Sequence, residues 1–589
     1  GVHHRAVRMT MRARRHFHAE LRQLELDLVD LGEMAERALG RAMEALVSGD
    51  DRQAEAVVAN DDQLDDVSAA AVQEAGAKRQ QFLKRLAQIE PAALDTQDRI
   101  SFRIFESQMR DFVASAKYGS HQIPLNSDSG FHSSLAFMPR DMPFFTVEDY
   151  ENYISRLRQF PRYFDQNIAN MREGLERGMT LSREVLGGID DTISAHVIDD
   201  PVESVYYQPF TSFPPTMSDR DKLRLAAEGA EAIAGSVVPA YAGFLEFWNE
   251  VYVPGARTTL GATALPDGDD YYSHLVRHFT TLERTPKEIH ELGLSEVARI
   301  REEMSSVIED VGFEGTYEQF LAFLRTDPRF YAKTPQALLE RAAWISKTMD
   351  GKLPALFGKL PRHPYTVEPV PAHIAPKYTA GRYVPPAKGS TQPGIYWVNT
   401  YDLDSRPLYT LEALTLHEAV PGHHLQGALA QELDDLPDFR QYSYLSAFGE
   451  GWGLYAEWLG LEAGFYTDPY SNFGRLTYEM WRACRLVVDT GMHAFGWTRE
   501  QALEFMAANT ALSLHEVSTE IDRYITWPGQ ALAYKMGELE IKRLRKKAER
   551  ELGADFDVRS FHDAVLLNGS VPLPVLADQI DRYIAEQKQ

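Results

Sequence analysis

Apolar residues recur at helical spacing from the beginning of the chain. Residues 16–47 carry them three and four positions apart over about nine turns. After the polar stop SGDD, residues 51–75 repeat the pattern. Two long helices joined by a short link pack antiparallel, so this pattern predicts a helical hairpin within residues 9–77.

The same spacing continues through residues 78–352, which we predict to form a helical domain. Its clearest helical segments are residues 146–179, 218–253 and 285–312. Thr146 and Ser218 can cap the first two segments, because their side chains can accept hydrogen bonds from free backbone N–H groups. Gly312 closes the third segment.

A third domain is predicted over residues 353–589, where the pattern changes first and then becomes helical again. Prolines are dense in residues 353–407, and YTVEPV (365–370) and GIYWVNT (394–400) have β-strand character. Residues 408–589 are helical. The predicted fold is therefore mainly α, a large multi-helix body with one small antiparallel β-sheet.

Composition narrows the possible functions. The formal net charge is -25, which argues against nucleic acid as a partner because phosphates would be repelled. A single cysteine, Cys484, excludes an internal disulfide framework. No uncharged apolar stretch reaches the length of a membrane span. The expected location is the cytoplasm by default, or the periplasm or a lipid anchor if an export signal has been removed. The oligomeric state stays open.

Candidate chemistry is concentrated in HEAVPGHH (417–424). A zinc hydrolase commonly places two histidines four residues apart on one helix, with a glutamate after the first. His417 and Glu418 fit, but the next histidines come six and seven residues later. On a regular helix His423 would lie on the far side, and His424 roughly 10 Å along the axis. Neither could share an ion with His417.

Pro421 and Gly422 offer a solution. Proline breaks a helical hydrogen bond, and glycine adopts backbone angles that other residues avoid. A bulge that ejects these two residues would restore an effective spacing of four. This selects His423 as the second ligand of one Zn²⁺ ion, with His424 as the alternative or as a pocket residue.

The third ligand is expected on a following helix. SAFGEGWGLYAEWLG (446–460) presents Glu450 and Glu457 seven residues apart, on one face. We assign Glu450 to the metal. Glu457 is the alternative, or an acceptor that orients a histidine ligand.

The remaining assignments follow from metal-assisted hydrolysis. Glu418 would take the proton of a metal-activated water. An oxyanion donor is also needed, and Tyr534 is preferred over Tyr524 and His493.

Substrate contacts are predicted at two places. Arg523 could bind a peptide carboxylate or form a structural ion pair. The strand at 394–400 could hold an extended peptide at an exposed edge, with Tyr396 and Asn399 on opposite faces.

Two resemblances extend this interpretation. HEAVPGH (417–423) and EGWGLYAE (450–457) resemble a large bacterial domain-of-unknown-function family, often described as lipoproteins or metallopeptidases. The resemblance covers residues 78–585. It implies a gluzincin-like zinc site in a helical body with a deep channel, as in thimet-oligopeptidase-like enzymes.

Separately, FHAEL (17–21), LGEM (31–34) and DDQLD (61–65) resemble the first helices of PhoU-type phosphate-uptake regulators.

The leading prediction is a zinc peptidase whose substrate is a peptide, with exo- and endo-action both open. A metal-dependent hydrolase of another small amide would use the same chemistry. A third possibility is a non-catalytic regulator or scaffold in which the PhoU-like hairpin is the working part.

Overall fold

The computed structural model describes residues 64–588, except 128, 373, 387–391 and 442. Most of the predicted hairpin over residues 9–77 therefore lies outside the described residues. Its second helix was predicted to run from 51 to 75, but residues 64–68 are not helical and the helix begins at Ala69. The N–H groups of Leu64 and Val67 donate instead to the side chains of Gln159 and Gln166, at 3.0 and 3.2 Å.

The chain divides into two compact units between Thr259 and Leu260. The domain boundaries expected at residues 77 and 352 remain a prediction. The longer helices of the first unit are α1 (Ala69–Leu86), α2 (Thr96–Tyr118), α3 (Val147–Arg158), α4 (Phe160–Arg177), α5 (Asp219–Ala232) and α6 (Val238–Phe247).

Sequence-local signals explain several of these helices. Thr146 caps α3 in a capping box with Asp149, and the Ser218 side chain accepts from the N–H of Asp221, as predicted. Two π-turns, Ile233–Val237 and Trp248–Tyr252, flank α6. A proline follows each turn by two residues and lacks the N–H that a regular ladder needs there.

The second unit holds thirteen described helices of eight residues or more. They are α7 (Gly268–Thr280), α8 (Pro286–Asp310), α9 (Tyr317–Thr326), α10 (Pro335–Asp350), α11 (Leu411–Glu418), α12 (His423–Gln431), α13 (Ser446–Leu459), α14 (Pro469–Ala494), α15 (Arg499–Asn509), α16 (Leu514–Thr526), α17 (Ala533–Leu552), α18 (Val558–Leu566) and α19 (Leu573–Gln587). Helix α14 packs along α8, and α13 packs along α17. Nearly all of α14 is buried, so it forms the centre of this unit.

A three-stranded sheet lies in the second unit, in the order β1 (Tyr365–Pro369), β3 (Gly394–Val398), β2 (Gly381–Val384). The predicted strands β1 and β3 are confirmed. The predicted antiparallel arrangement is wrong in part, because β1 pairs with β3 in parallel and only β2 pairs with it antiparallel. The chain is thus mainly α with a small mixed sheet. Within the described residues, no helix is both long and apolar enough to cross a membrane.

Candidate metal centre

The metal-site sequence forms two helices and not one bulged helix. Helix α11 ends at Glu418, the Val420–Pro421 peptide is cis, and α12 begins at His423. The predicted two-residue bulge is therefore wrong. At Gly422 the chain passes so close to the last turn of α11 that a Cβ atom would overlap the carbonyl oxygen of His417. The N–H of His424 then donates to the carbonyl of Ala419, at 3.1 Å.

This reversal brings three side chains together. Nε2 of His417 lies 3.4 Å and Nε2 of His423 lies 3.3 Å from the same oxygen, Oε2 of Glu450. One ligand atom from each residue lies within 4.8 Å of the others. These are the three residues that the sequence predicted for the metal. His423 and Glu450 are 12 % and 14 % exposed, so the cluster can be reached from solvent.

His424 points to a different environment. Its ring packs against Tyr365 at 4.5 Å, and its Nδ1 lies 3.2 Å from the hydroxyl of Tyr383. Burial lowers the pKa of His424 to about 4. It therefore forms part of the packing beneath the sheet.

Helix α13 fixes the ring of His417. Glu457 accepts at Oε1 from Nδ1 of His417, at 2.7 Å, and Arg482 Nη2 lies 3.6 Å from the same oxygen. The ring lies against Gly453, where a Cβ atom would be 2.6 Å from Cε1. Burial alone would lower the pKa of His417, but hydrogen bonds to Glu450 and Glu457 raise it to about 9.

Glu450 is held by both of its oxygens. Its Oε2 faces the two histidines, and its Oε1 accepts from the hydroxyl of Tyr444, at 3.0 Å. Burial opposes ionisation of this carboxyl, but the charge of His423 and the hydrogen bonds to both histidines hold the pKa of Glu450 well below its usual range. The site therefore keeps a carboxylate beside two imidazoles.

Glu418 lies at the junction of the metal helix and the sheet. Its Oε2 accepts from the N–H of Tyr383 in β2, at 2.8 Å. Because β2 is an edge strand whose other side pairs with β3, the outer edge of β2 faces Glu418. The sheet thus meets the candidate centre through β2.

Comparison with known proteins shows which family this chain belongs to. Residues 44–580 match the model described as "Bacterial protein of unknown function (DUF885)". The chain belongs to the DUF885 family. The match begins at residue 44, inside the predicted PhoU-like hairpin. No curated protein matches this chain.

Two solved structures are similar to this DUF885 member over almost their whole length. "The crystal structure of the putative lipoprotein from Colwellia psychrerythraea" is 29 % identical, with a TM-score of 0.85, and the match covers 95 % of this chain and 99 % of that one. "The structure of a putative lipoprotein of unknown function from Shewanella oneidensis" is 17 % identical, with a TM-score of 0.66, covering 93 % and 99 %. The second likeness shows the fold alone.

The other predicted oxyanion donors lie in very different surroundings. His493 is fully buried, with Nδ1 accepting from the N–H of Ala262 and Nε2 facing the carbonyl of Tyr524, at 3.0 Å each. The Tyr524 hydroxyl is 2.8 Å from Nε1 of Trp481. Tyr534 is only partly buried, and within the described part of this DUF885 chain its hydroxyl has no hydrogen-bond partner. Of the three candidates, Tyr534 has the hydroxyl best placed to meet a ligand.

The predicted substrate strand is not an edge. Strand β3 pairs on both sides, so it has no free backbone for a peptide. Tyr396 is buried with its hydroxyl 3.2 Å from Thr415 Oγ1, and the Asn399 amide donates to the carbonyls of Ala375 and Tyr378 at 2.9 Å. The strand sequence is apolar because β3 lies in the centre of the sheet.

Sequence reasoning missed three residues that surround the DUF885 centre. They are Tyr444, which bonds Glu450, Tyr383, whose N–H bonds Glu418, and Arg482, which lies beside Glu457. The sequence offered one hint of these residues, the three-residue spacing of Arg482 and Arg485 on α14. That spacing is also common on ordinary helix faces, so it did not identify Arg482.

Proposed function

We propose that this protein is a zinc-dependent hydrolase that cleaves peptides. The observation that carries the proposal is the convergence of His417, His423 and Glu450 on one point. Two imidazoles and one carboxylate are the ligand set of many catalytic zinc sites, which keep the fourth position open.

Two of the three separations between ligand atoms fit such an ion. With metal–ligand bonds of about 2.0–2.1 Å, two ligands of a tetrahedral zinc ion are roughly 3.3 Å apart. The two histidine nitrogens lie 3.4 and 3.3 Å from Glu450 Oε2. Those spacings are long for charge-assisted hydrogen bonds, which are about 2.7–2.9 Å. The Glu457–His417 contact, in contrast, is a short hydrogen bond of the kind that orients a histidine ligand.

The reaction needs a base and an oxyanion donor from the chain itself. When bound, zinc would lower the pKa of water and polarise the scissile carbonyl. Glu418 would take the proton of that water, and its hydrogen bond from the Tyr383 N–H holds the carboxylate in place. Tyr534 would donate its free hydroxyl to the developing oxyanion.

The sheet is the proposed binding surface for the substrate. Because β3 is paired on both sides, an extended peptide that adds to the sheet beside Glu418 would pair with the outer edge of β2. Glu418 already accepts from the Tyr383 N–H there, so the peptide would use the other outward-facing groups of β2. The gluzincin and thimet-oligopeptidase resemblance supports a channel that encloses such a peptide. The name of the solved Colwellia neighbour, a putative lipoprotein, supports a lipid-anchored or periplasmic location, which cell fractionation would test.

The Glu418→Gln variant tests the mechanism. We expect it to lower peptide hydrolysis by about 10²–10⁴-fold, because the general base is lost. It should keep its zinc, since Glu418 is not among the three clustered ligands. Glu368→Gln, on the exposed end of β1, is a matched control that should leave turnover unchanged.

The same experiment separates the alternatives. Unchanged turnover in Glu418→Gln would reject the proposed mechanism. The non-catalytic scaffold predicts instead that the zinc-loaded wild type hydrolyses neither peptides nor small amides. Hydrolysis of acylamino acids but not of peptides, in a panel of both, would favour a hydrolase of another small amide. The shared dependence on Glu418 would remain in that case.

A further inference from the structure

Two buried arginines on α14 lie one turn apart and have unused donors. Arg482 and Arg485 are 4 % and 2 % exposed. Within the described residues, Nε of Arg482 and Nη1 of Arg485 have no hydrogen-bond partner. A buried guanidinium N–H without a partner is costly, so each such group calls for a ligand or a water.

The nearby carboxylates are shared. Oε2 of Glu520 accepts from Arg485 and from Arg523, at 3.0 Å each. Oε1 of Glu457 accepts from His417 at 2.7 Å and lies 3.6 Å from Arg482. Three guanidinium groups thus face two carboxylates that are already engaged. Glu516 is a weaker counter-ion, because burial raises its pKa to about 7.

Arg523, which the sequence singled out for a carboxylate, is already bonded. Its Nη2 donates to Glu520 at 3.0 Å and its Nη1 donates to Gln530 at 3.1 Å. These contacts favour the second prediction for Arg523, a structural ion pair.

Tyr534 packs against both arginines. Its ring lies 4.1 Å from the Arg485 guanidinium carbon and 5.9 Å from that of Arg482. Its hydroxyl is without a hydrogen-bond partner in the described structure, and the ring is partly exposed. Arg482 connects to His417 through Glu457, and Arg485 is three residues further, about 4.5 Å along the helix.

We propose that Arg485, with Arg482, binds the C-terminal carboxylate of a peptide substrate. The inference rests on the proposed function and sharpens it, because the enzyme would then remove residues from the carboxyl end. Arg485 already donates from Nε to the Tyr524 hydroxyl, at 2.6 Å, and from Nη2 to Glu520. A carboxylate supplies two acceptor oxygens, one for Nη1 of Arg485 and one for Nε of Arg482, which have no partner among the described residues. Amino-terminal or internal cleavage would not use these donors.

Binding tests this without requiring hydrolysis. The probe is a pair of peptides of one sequence, with a free and with an amidated C-terminus, titrated into zinc-loaded Glu418→Gln protein. We expect the free acid to bind roughly 10–100-fold more tightly, as for a charge-assisted pair at a buried site. Arg485→Met in the same background should remove this preference and leave the affinity for the amide unchanged.

Arg475→Met is the matched control, because Arg475 is a buried arginine of α14 whose donors bond Asn472 and Glu479. It should keep the preference for the free acid. Equal binding of acid and amide by the parent protein, no binding of either, or an equal loss of both in Arg485→Met would overturn the proposal. If Arg485→Met does not fold, the acid–amide comparison on the parent still decides, and Arg485→Gln should also lose the preference for the free acid.

Failure of the carboxylate site and failure of the proposed hydrolase function would give different results. Wild-type enzyme that cleaves internal bonds of acid and amide peptides equally would keep the hydrolase and reject the carboxylate site. A preference for the acid with no hydrolysis in wild type would keep the carboxylate site and reject the hydrolase.

Discussion

Glu450 shows how single residues set up the centre. Its two oxygens have separate tasks, since Oε2 faces both histidines and Oε1 is held by the Tyr444 hydroxyl. Tyr444 lies outside the cluster and is half exposed. A neighbour of this kind orients a ligand and so contributes to metal affinity.

We predict that Tyr444→Phe weakens zinc binding by about 10–100-fold, because Glu450 loses the donor that orients it. Competition with a chromophoric chelator would measure the affinity. Tyr401→Phe, another half-exposed tyrosine, should bind zinc as wild type does. An unchanged affinity in Tyr444→Phe would show that Glu450 is positioned by the histidines alone.

For single residues, the sequence was informative where ligand-type side chains stand at a recognisable spacing. Spacing selected His417, His423 and Glu450, and the structure brings them together. Tyr444 could not be found, because its contact depends on how the loop before α13 folds. Arg485 could not be singled out either, since only the structure shows that its Nη1 is buried and without a hydrogen-bond partner among the described residues.

The element that matters most is the turn between α11 and α12. It reverses the chain within residues 419–422, so that His423 meets His417 from a second helix. The turn requires a glycine at 422, because the chain approaches the His417 carbonyl too closely for any side chain.

Gly422→Ala should therefore destabilise the fold by about 1–3 kcal/mol, as overpacking does, and reduce zinc content. Gly427→Ala is the matched control on α12, where a Cβ atom would meet Tyr383 at an ordinary 3.5 Å. That change should be neutral or stabilising, since alanine favours a helix over glycine. Urea unfolding of both variants measures the difference, and equal stabilities would contradict the account of the turn.

Helix starts were predictable because capping is local. Thr146 and Ser218 cap the helices expected of them. Strand β2 was missed, since four residues between proline-rich loops carry little periodicity. The order β1–β3–β2 depends on pairing across the chain, so the sequence alone placed the free edge on the wrong strand.

On the scale of the whole molecule, the helical class was clear from periodicity, whereas the division near residue 259 follows from packing that periodicity does not show. Packing also buries ionisable groups at the centre of the second unit. Asp489 on α14 is fully buried and accepts from the Tyr272 hydroxyl and the Gly529 N–H. Burial raises the pKa of Asp489 to about 7.

This shift predicts a pH-dependent stability. The unfolded carboxyl ionises from about pH 4 and the folded one only near pH 7, so Asp489 lowers the free energy of unfolding by about 1.4 kcal/mol per pH unit in that window. Asp489→Asn lacks this loss. Its stability relative to wild type should therefore rise between pH 4 and 7 and then level off.

Urea unfolding at several pH values checks this, with the exposed Asp269→Asn as the control that should show no such slope. A stability difference between Asp489→Asn and wild type that is constant or falls with pH would contradict the burial argument.

Metal content of the purified protein tests the central claim most directly. After loading with zinc and dialysis, elemental analysis should find one zinc per chain in wild type and in His424→Ala, and almost none in His423→Ala. A wild-type protein without zinc, or a His423→Ala variant that retains as much as wild type, would contradict the account.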